Sequence, residues 1–333
     1  MMRVKIEDVC MKGSSNLKQS DVVGKNGIYP VYGAAGYLGS IDSFKQSKPY
    51  VAVVKDGAGI GRAMLLPSNS SIIGTMQYLL PKDNILPEYL YYLIKAKHLE
   101  KYYSGATIPH IYFKDYKNEE FDLFSFEIQC QIINKLKIIE KIIEKQKKEM
   151  DLLDELVKAR FVELFGDPII NDKGLITELL ANVSNLKAGK AIKTGELSEN
   201  NDTNSLFPCF GGNGIRGYIN RYTHDGTFPI IGRQGALSGN VNFAKGKFYA
   251  TEHAIVVTPK VELDDTWFFY CLKYLDLKRF QTGAAQPGVS VEKLNNISIP
   301  LPNYKSQLYF SDFVKEVDKS RFIIKSMIKE GLL

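Results

Sequence analysis

The most regular pattern in the chain is a stripe of residues at alternating spacings of four and three: Ile132, Leu136, Ile139, Ile143, Gln146, Met150, Leu153, Val157, Arg160 and Leu164. That spacing lines one side of a helix and is the seam of a coiled coil, with lysine and glutamate filling the other positions. At about 1.5 Å per residue the stripe predicts a rod of roughly 50 Å. The pattern returns near the end as Phe310, Val314, Val317, Arg321, Ile324 and Ile328. A rod with an apolar stripe needs a partner, and the other rod of the same chain, packed antiparallel, supplies one. Outside the rods the apolar runs are short and β-like: Pro49–Val54, Ala63–Leu66 and Gln77–Leu80, then Pro229–Ile231, Lys247–Tyr249 and Ala254–Thr258. Each set is followed by one expected helix, around Glu88–Tyr102 and around Asp265–Thr282.

These two sets are copies of each other. Tyr29-Pro30-Val31-Tyr32-Gly33-Ala34-Ala35-Gly36 aligns with Phe207-Pro208-Cys209-Phe210-Gly211-Gly212-Asn213-Gly214 at an offset of 178. At the same offset Lys55, Gly57, Ala58 and Gly61 meet Arg233, Gly235, Ala236 and Gly239, while Gly105, Pro109 and Gln129 meet Gly283, Pro287 and Gln307. Glycines that merely punctuate turns do not hold one register through so many residue types. The expected fold is therefore α+β. Two tandem mixed α/β domains, 1–125 and 167–302, alternate with helical spacers, 126–166 and 303–333, which pair as an antiparallel coiled coil in a pseudo-twofold body.

Composition agrees with two ordinary domains: 333 residues, 44% hydrophobic and 24% charged. No apolar run reaches eighteen residues, and Met1–Asp8 shows no apolar leader, so neither membrane spanning nor secretion is expected. Cys10, Cys130, Cys209 and Cys271 are far apart and form no CxxC pair, which points to a reduced, cytoplasmic chain. The net charge of +6 is spread thinly, with 15 basic against 12 acidic residues in 1–125 and 14 against 13 in 166–302. A site for a polyanion has to be local.

The order of these parts resembles the specificity subunits of Type I restriction-modification systems. Two features carry the resemblance: Ala159-Arg160-Phe161-Val162-Glu163-Leu164-Phe165-Gly166-Asp167-Pro168 at the end of the first spacer, and the Pro-x-aromatic-Gly start of each recognition domain. The second spacer has no match to the first of these. The resemblance implies a subunit without catalysis of its own that reads a bipartite double-stranded DNA target, one half per domain. It also implies two DNA methyltransferase subunits as partners, often with restriction-translocation subunits, and places S-adenosylmethionine, ATP and magnesium on those partners, leaving this chain without a cofactor.

The residues themselves offer little catalytic chemistry. Gly57-Ala58-Gly59-Ile60-Gly61 invites a nucleotide-binding reading, but Arg62–Leu66 stops at Pro67, too short for the helix such a loop requires. Asp167-Pro168-Ile169-Ile170 lacks the aromatic of a methyltransferase base-binding motif and reads as a helix stop. His98, His110, His224 and His253 have no ligand at metal-binding spacing. Glu252 and His253, as neighbours on a strand, are expected to point to opposite faces, which argues against a hydrolytic dyad. No catalytic or metal-binding residue is assigned.

Base reading needs Arg, Lys, Asn and Gln beside turns that let backbone come close. Arg233-Gln234-Gly235-Ala236 fits, with arginine suited to guanine and glutamine to adenine, and its counterpart Lys55-Asp56-Gly57-Ala58 keeps the skeleton with different side chains. Arg62, His110 and Tyr112 in the first copy and Arg216, Arg221, Gln286 and Ser290 in the second complete the candidates. A competing reading is a protein-interaction scaffold whose duplicated domains hang on a coiled-coil adaptor.

Overall fold

The structure of the chain, a computed structural model, describes residues 2–105, 109–201, 206–283 and 287–330. It divides into two compact units, Met1–Ile143 and Glu144–Leu333. The first contains β1 (Met2–Lys5), α1 (Ile6–Val9), β2 (Cys10–Ser14), β3 (Tyr29–Gly33), β4 (Gly36–Ile41), β5 (Tyr50–Val54), β6 (Ala63–Leu66), β7 (Ser71–Ile72), β8 (Met76–Pro81), α2 (Pro87–Ala96), α3 (Phe113–Tyr116) and β9 (Glu120–Leu123). The long helix α4 (Phe126–Phe165) begins in it and ends in the second unit. There follow β10 (Thr177–Leu179), α5 (Leu180–Val183), β11 (Ser184–Ala188), β12 (Phe207–Gly211), β13 (Gly214–Ile219), β14 (His224–Gly232), β15 (Val241–Ala250), β16 (Ala254–Pro259), α6 (Asp265–Tyr274), α7 (Val291–Asn295), β17 (Ser298–Pro300) and α8 (Tyr304–Glu330).

All of β5 and the last four residues of β14 are buried on both faces, and strand periodicity sorts these residues between two cores. In β5, Val51 and Val53 join Ile6, Leu79, Leu90, Ile94 and Ile133 on the side of α2. Tyr50, Ala52 and Val54 join Ile72, Met76 and Tyr78 on the other side. Strand β14 does the same, with Ile231 in the core of Trp267, Phe268 and Leu272 and Ile230 in the core of Phe248, Ala254 and Val256.

The duplication extends beyond what the sequence shows. Helix α1 repeats as α5, with Ile6 N donating to Glu119 O and Leu180 N to Ile297 O. The Cys10 thiol lies 3.3 Å from Ile6 O, and the Ser184 hydroxyl 2.9 Å from Leu180 O. In this opening segment the offset is 174. It becomes 178 only at β3 and β12, because the link between β11 and β12 is four residues longer than that between β2 and β3. The sheets differ in one respect. The first unit has a four-stranded sheet, β2-β8-β5-β6, and a separate three-stranded one, β4-β3-β7, whereas the second has a single six-stranded sheet, β11-β16-β14-β15-β12-β13. Strand β15 runs unbroken through ten residues. Its counterpart is split by Pro67, which lacks an N–H, and by Asn69 in the left-handed region at φ 53°.

Two expectations change. The helices after each sheet are not continuous over Glu88–Tyr102 and Asp265–Thr282: His98 (φ 49°) and Asp276 (φ 47°) adopt left-handed backbone and start separate 3-10 turns, Leu99–Tyr102 and Leu277–Phe280. The coiled-coil seam is shielded along most of α4, with Gln146 and Val157 buried, and departs from the expectation at its C-terminal end. Within the second unit α4 and α8 pack antiparallel: Phe161 and Phe165 bring their rings to 5.4 and 5.8 Å from Phe310, while Arg321 Nη2 reaches Asp154 Oδ1 at 2.5 Å. Seam residues Arg160 and Leu164 are half-buried, and Phe161 and Phe165 take the buried positions because this end of α4 also packs on Tyr274 and Trp267 of α6. Earlier on the seam, Ile139 is 39% exposed. The helix stop expected at Gly166-Asp167-Pro168 is present, with Gly166 at φ 77° and its N–H on Val162 O.

One buried side chain ties each spacer helix to its domain. Gln129 Oε1 accepts from Leu86 N at 2.9 Å, and its Nε2 donates to Phe124 O and Asn84 O. Gln307 repeats this with Asp264 N and Pro302 O, both at 2.9 Å. Replacing either with leucine strands a part-buried backbone amide. Gln129→Leu and Gln307→Leu are each expected to cost about 1–3 kcal/mol, read as a lowered midpoint in thermal unfolding.

Candidate nucleic-acid interface

Strands β5 and β6 are joined by Lys55–Arg62, and β14 and β15 by Arg233–Asn240. Neither connection leads into a helix, which removes the structural basis of a nucleotide-binding loop. The turn closes through Gly61 N on Val54 O at 2.9 Å and Gly239 N on Gly232 O at 2.8 Å. Both glycines are left-handed, and a Cβ on Gly61 would stand 2.5 Å from Glu100 N, on Gly239 2.7 Å from Lys278 N. Only glycine lets the turn press this closely on the following 3-10 segment.

Two flanking segments hold each turn through backbone alone. In the first unit Lys55 N donates to Thr75 O, Ile111 N to Lys55 O and Gly57 N to Pro109 O, at 2.9–3.0 Å. In the second, Arg233 N donates to His253 O, Val289 N to Arg233 O and Gly235 N to Pro287 O, at 2.8–2.9 Å. The outer segment is itself closed by paired bonds, Ser104 with His110 and Thr282 with Gly288. The bonds correspond one for one, and because none uses a side chain, the side chains at 55, 56, 233 and 234 are free to differ.

They differ in what they contact. Asp56 Oδ1 lies 2.7 Å from His110 Nδ1 and its Oδ2 3.6 Å from Lys55 Nζ. The His110 ring stacks on exposed Tyr112, with centroids 6.3 Å apart. Arg62 bonds Ala34 O in the β3–β4 turn. In the second unit Gln234 Oε1 lies 2.9 Å from His253 Nδ1, and Arg233 Nη1 donates to Glu252 O. Gln234, Arg216, Asn213 and His253 line an open cleft of about 490 Å³. So Lys55, Asp56, His110 and Tyr112 come together, as do Arg216 and Gln234, while the Arg233 guanidinium lies on the Glu252 carbonyl. Arg221 is committed elsewhere, to Glu196 Oε2 at 2.6 Å and the face of Tyr249. Ser290 caps α7 by accepting from Lys293 N, and Gln286 lies outside the described residues.

His253 and Asn213 were missed from sequence. The expectation that Glu252 and His253 face apart is corrected: they lie in the turn between β15 and β16, not on a strand, and Glu252 Oε1 is 3.2 Å from His253 Nε2. The signal for Asn213 was its place in the hairpin turn beside Arg216. His253 maps onto Thr75, and residue type alone gave no signal there. Among the described residues no group of three or more His, Cys, Asp or Glu is placed to hold a metal, and no helix is long and apolar enough to cross a membrane.

The model of the Type I restriction modification DNA specificity domain matches residues 1–150 and 179–333. The chain belongs to that family. A type I restriction enzyme specificity subunit of Escherichia coli, EcoprrI, is 40% identical over 139 residues, which is 42% of this chain and 35% of the relative. The chain thus matches about a third of that relative's length. The MjaVIII specificity subunit of Methanocaldococcus jannaschii is 23% identical over 315 residues, covering 80% of this chain and 72% of its own. The crystal structure of a Type I restriction-modification S subunit from M. genitalium shares the fold, with a TM-score of 0.62 at 18% identity over 99% of this chain and 92% of that one.

In this specificity-family domain the outer segment is anchored from behind. Glu119 draws in Lys101 Nζ at 2.5 Å, Lys97 Nζ at 3.1 Å and the Tyr102 hydroxyl, fixing the 3-10 turn that leads to Ser104. The bonds from Lys101 and Tyr102 hold the Glu119 carboxyl down at about 2, from an ordinary 4.5. A depressed carboxylate stabilises the fold above its unfolded pKa and loses that contribution as pH falls towards the folded one. Glu119→Gln is therefore expected to melt below the wild type at pH 6, with the difference shrinking between about pH 4.5 and pH 2 in parallel thermal scans.

Proposed function

We propose that this chain is the address-reading subunit of a type I restriction-modification complex, reading one half of a bipartite double-stranded DNA target with each domain. The observation that carries this reading is the pair of glycine turns held by matching backbone bonds while presenting different polar side chains, Lys55-Asp56 and Arg233-Gln234. A rigid backbone with variable donors and acceptors is what base-edge recognition requires. The chain has no catalytic role in this reading. It carries two DNA methyltransferase subunits, and restriction-translocation subunits where the system has them, onto the site in the cytoplasm. S-adenosylmethionine, ATP and magnesium belong to those partners. Lys55, Asp56, Arg62, His110 and Tyr112 serve one half-site, and Arg216, Arg233 and Gln234 the other. Arg221 and Ser290 act inside the domain.

Binding of the chain with its methyltransferase partners to duplex DNA is the test. Affinity should fall steeply with salt, by about 0.9 log units per log unit of salt for each phosphate neutralised. Affinity indifferent to salt would favour the protein scaffold. Arg233→Ala is expected to weaken the cognate site by about 1–3 kcal/mol and to relax only the second half-site. Equal weakening of both half-sites would make Arg233 a structural residue.

A further inference from the structure

Superimposing the two turns by their common offset exposes three side chains that change together. Position 56/234 is Asp in the first domain and Gln in the second. Position 75/253, whose carbonyl accepts the backbone N–H of the preceding turn residue, is Thr and then His. Position 110/288, paired to the turn from the opposite side, is His and then Gly. Each domain thus has one histidine on its reading turn, but it arrives from opposite flanks: His110 from the outer segment onto Asp56 at 2.7 Å, His253 from the strand side onto Gln234 at 2.9 Å. Where the second domain has Gly288, a Cβ would stand 3.9 Å from Gln234 Cγ. The missing side chain leaves that flank to the longer glutamine.

We propose that these three positions form a specificity cassette, in which the histidine is a positioning residue that aims the base-reading side chain. The inference rests on the DNA-address reading above. With Nδ1 as donor, His253 occupies one lone pair of Gln234 Oε1. This leaves the other lone pair and the Nε2 hydrogens, which match the N6 donor and N7 acceptor of adenine. Glu252 Oε1 lies 3.2 Å from His253 Nε2 on the far side of the ring, and Glu252 O receives Arg233 Nη1, so the turn Thr251–His253 contacts both candidate readers. In the first domain Asp56 offers only acceptors, and with Oδ1 on His110 and Oδ2 near Lys55 it suits a base that presents a single amino donor, cytosine N4. The two half-sites are therefore assigned different bases at the equivalent position: adenine under Gln234 and cytosine under Asp56.

The test uses the full chain with its methyltransferase partners and selection from a randomised duplex library, followed by sequencing of the bound fraction. The wild type should show two half-sites, with one adenine and one cytosine each preferred by about 5- to 150-fold, the range of a good base contact. His253→Ala should lower the adenine preference at least 5-fold while the first half-site keeps its consensus. His253→Asn, which retains a donor near the same place, should restore part of it. The triple exchange Asp56→Gln, Thr75→His, His110→Gly should carry the adenine preference into the first half-site, and Asp56→Gln alone should not. The cassette is overturned if His253→Ala leaves the second half-site unchanged, if it degrades both half-sites alike, or if Asp56→Gln alone switches the base. A wild-type complex that selects no sequence at all would instead sink the DNA-address reading, and the cassette with it.

Discussion

Everything around the two candidate reading turns depends on their backbone being satisfied without help from side chains. A turn carrying glycines in the left-handed region has little intrinsic reason to hold one shape, since glycine loses more conformational freedom on ordering than any other residue. What fixes it is the trio of main-chain bonds to the carbonyls and amides of two flanking segments, present in both units. Those flanks are in turn held by a buried sheet on one side and, in the first unit, by the Glu119 clamp on the other. Order therefore flows from the sheet core through the flanks into the turn, and the side chains at the tip add to it only through their contacts with those flanks.

The duplicated α+β plan was legible in the sequence because its evidence lies in backbone-critical residues. Gly61 and Gly239 face a backbone atom within 2.7 Å of where a Cβ would sit, and Gln129 bonds three main-chain groups and Gln307 two. Such positions tolerate few residue types, so they keep their identity in both copies and show up at a constant offset. The matching of α1 with α5 was hidden for the opposite reason: Cys10 and Ser184 make the same contact with different chemistry, and the four-residue difference in the following link shifts the register.

The candidate site was only half legible. Its turns could be found because glycine and proline mark them, and Arg233 and Gln234 stood out by type. His253 could not be found this way, since its importance comes from a turn between β15 and β16 that folds it back onto Gln234, a contact across nineteen residues. Arg221 shows the reverse: an arginine near a glycine turn reads as unengaged until its contacts with Glu196 and Tyr249 are seen. On the long helix, the four-three spacing located the stripe but not its neighbours. Phe161 and Phe165 serve α6 as well as α8, and a helix with two partners buries a wider face than a two-stranded seam.

The constant offset from β3 and β12 onwards has a genetic consequence. Any exchange of DNA between the two halves of the coding sequence, with both crossover points inside the region of constant offset, replaces one segment by its counterpart without gaining or losing a codon. The glycine turns, flanking carbonyls and anchoring glutamines would all land in register, so the main-chain bonds that hold the turns would be kept, while buried positions such as Tyr78 and its counterpart Val256 would be exchanged with the tips. Such an exchange would carry one candidate turn into the other domain, and the length difference that interrupts the register lies ahead of the exchangeable region.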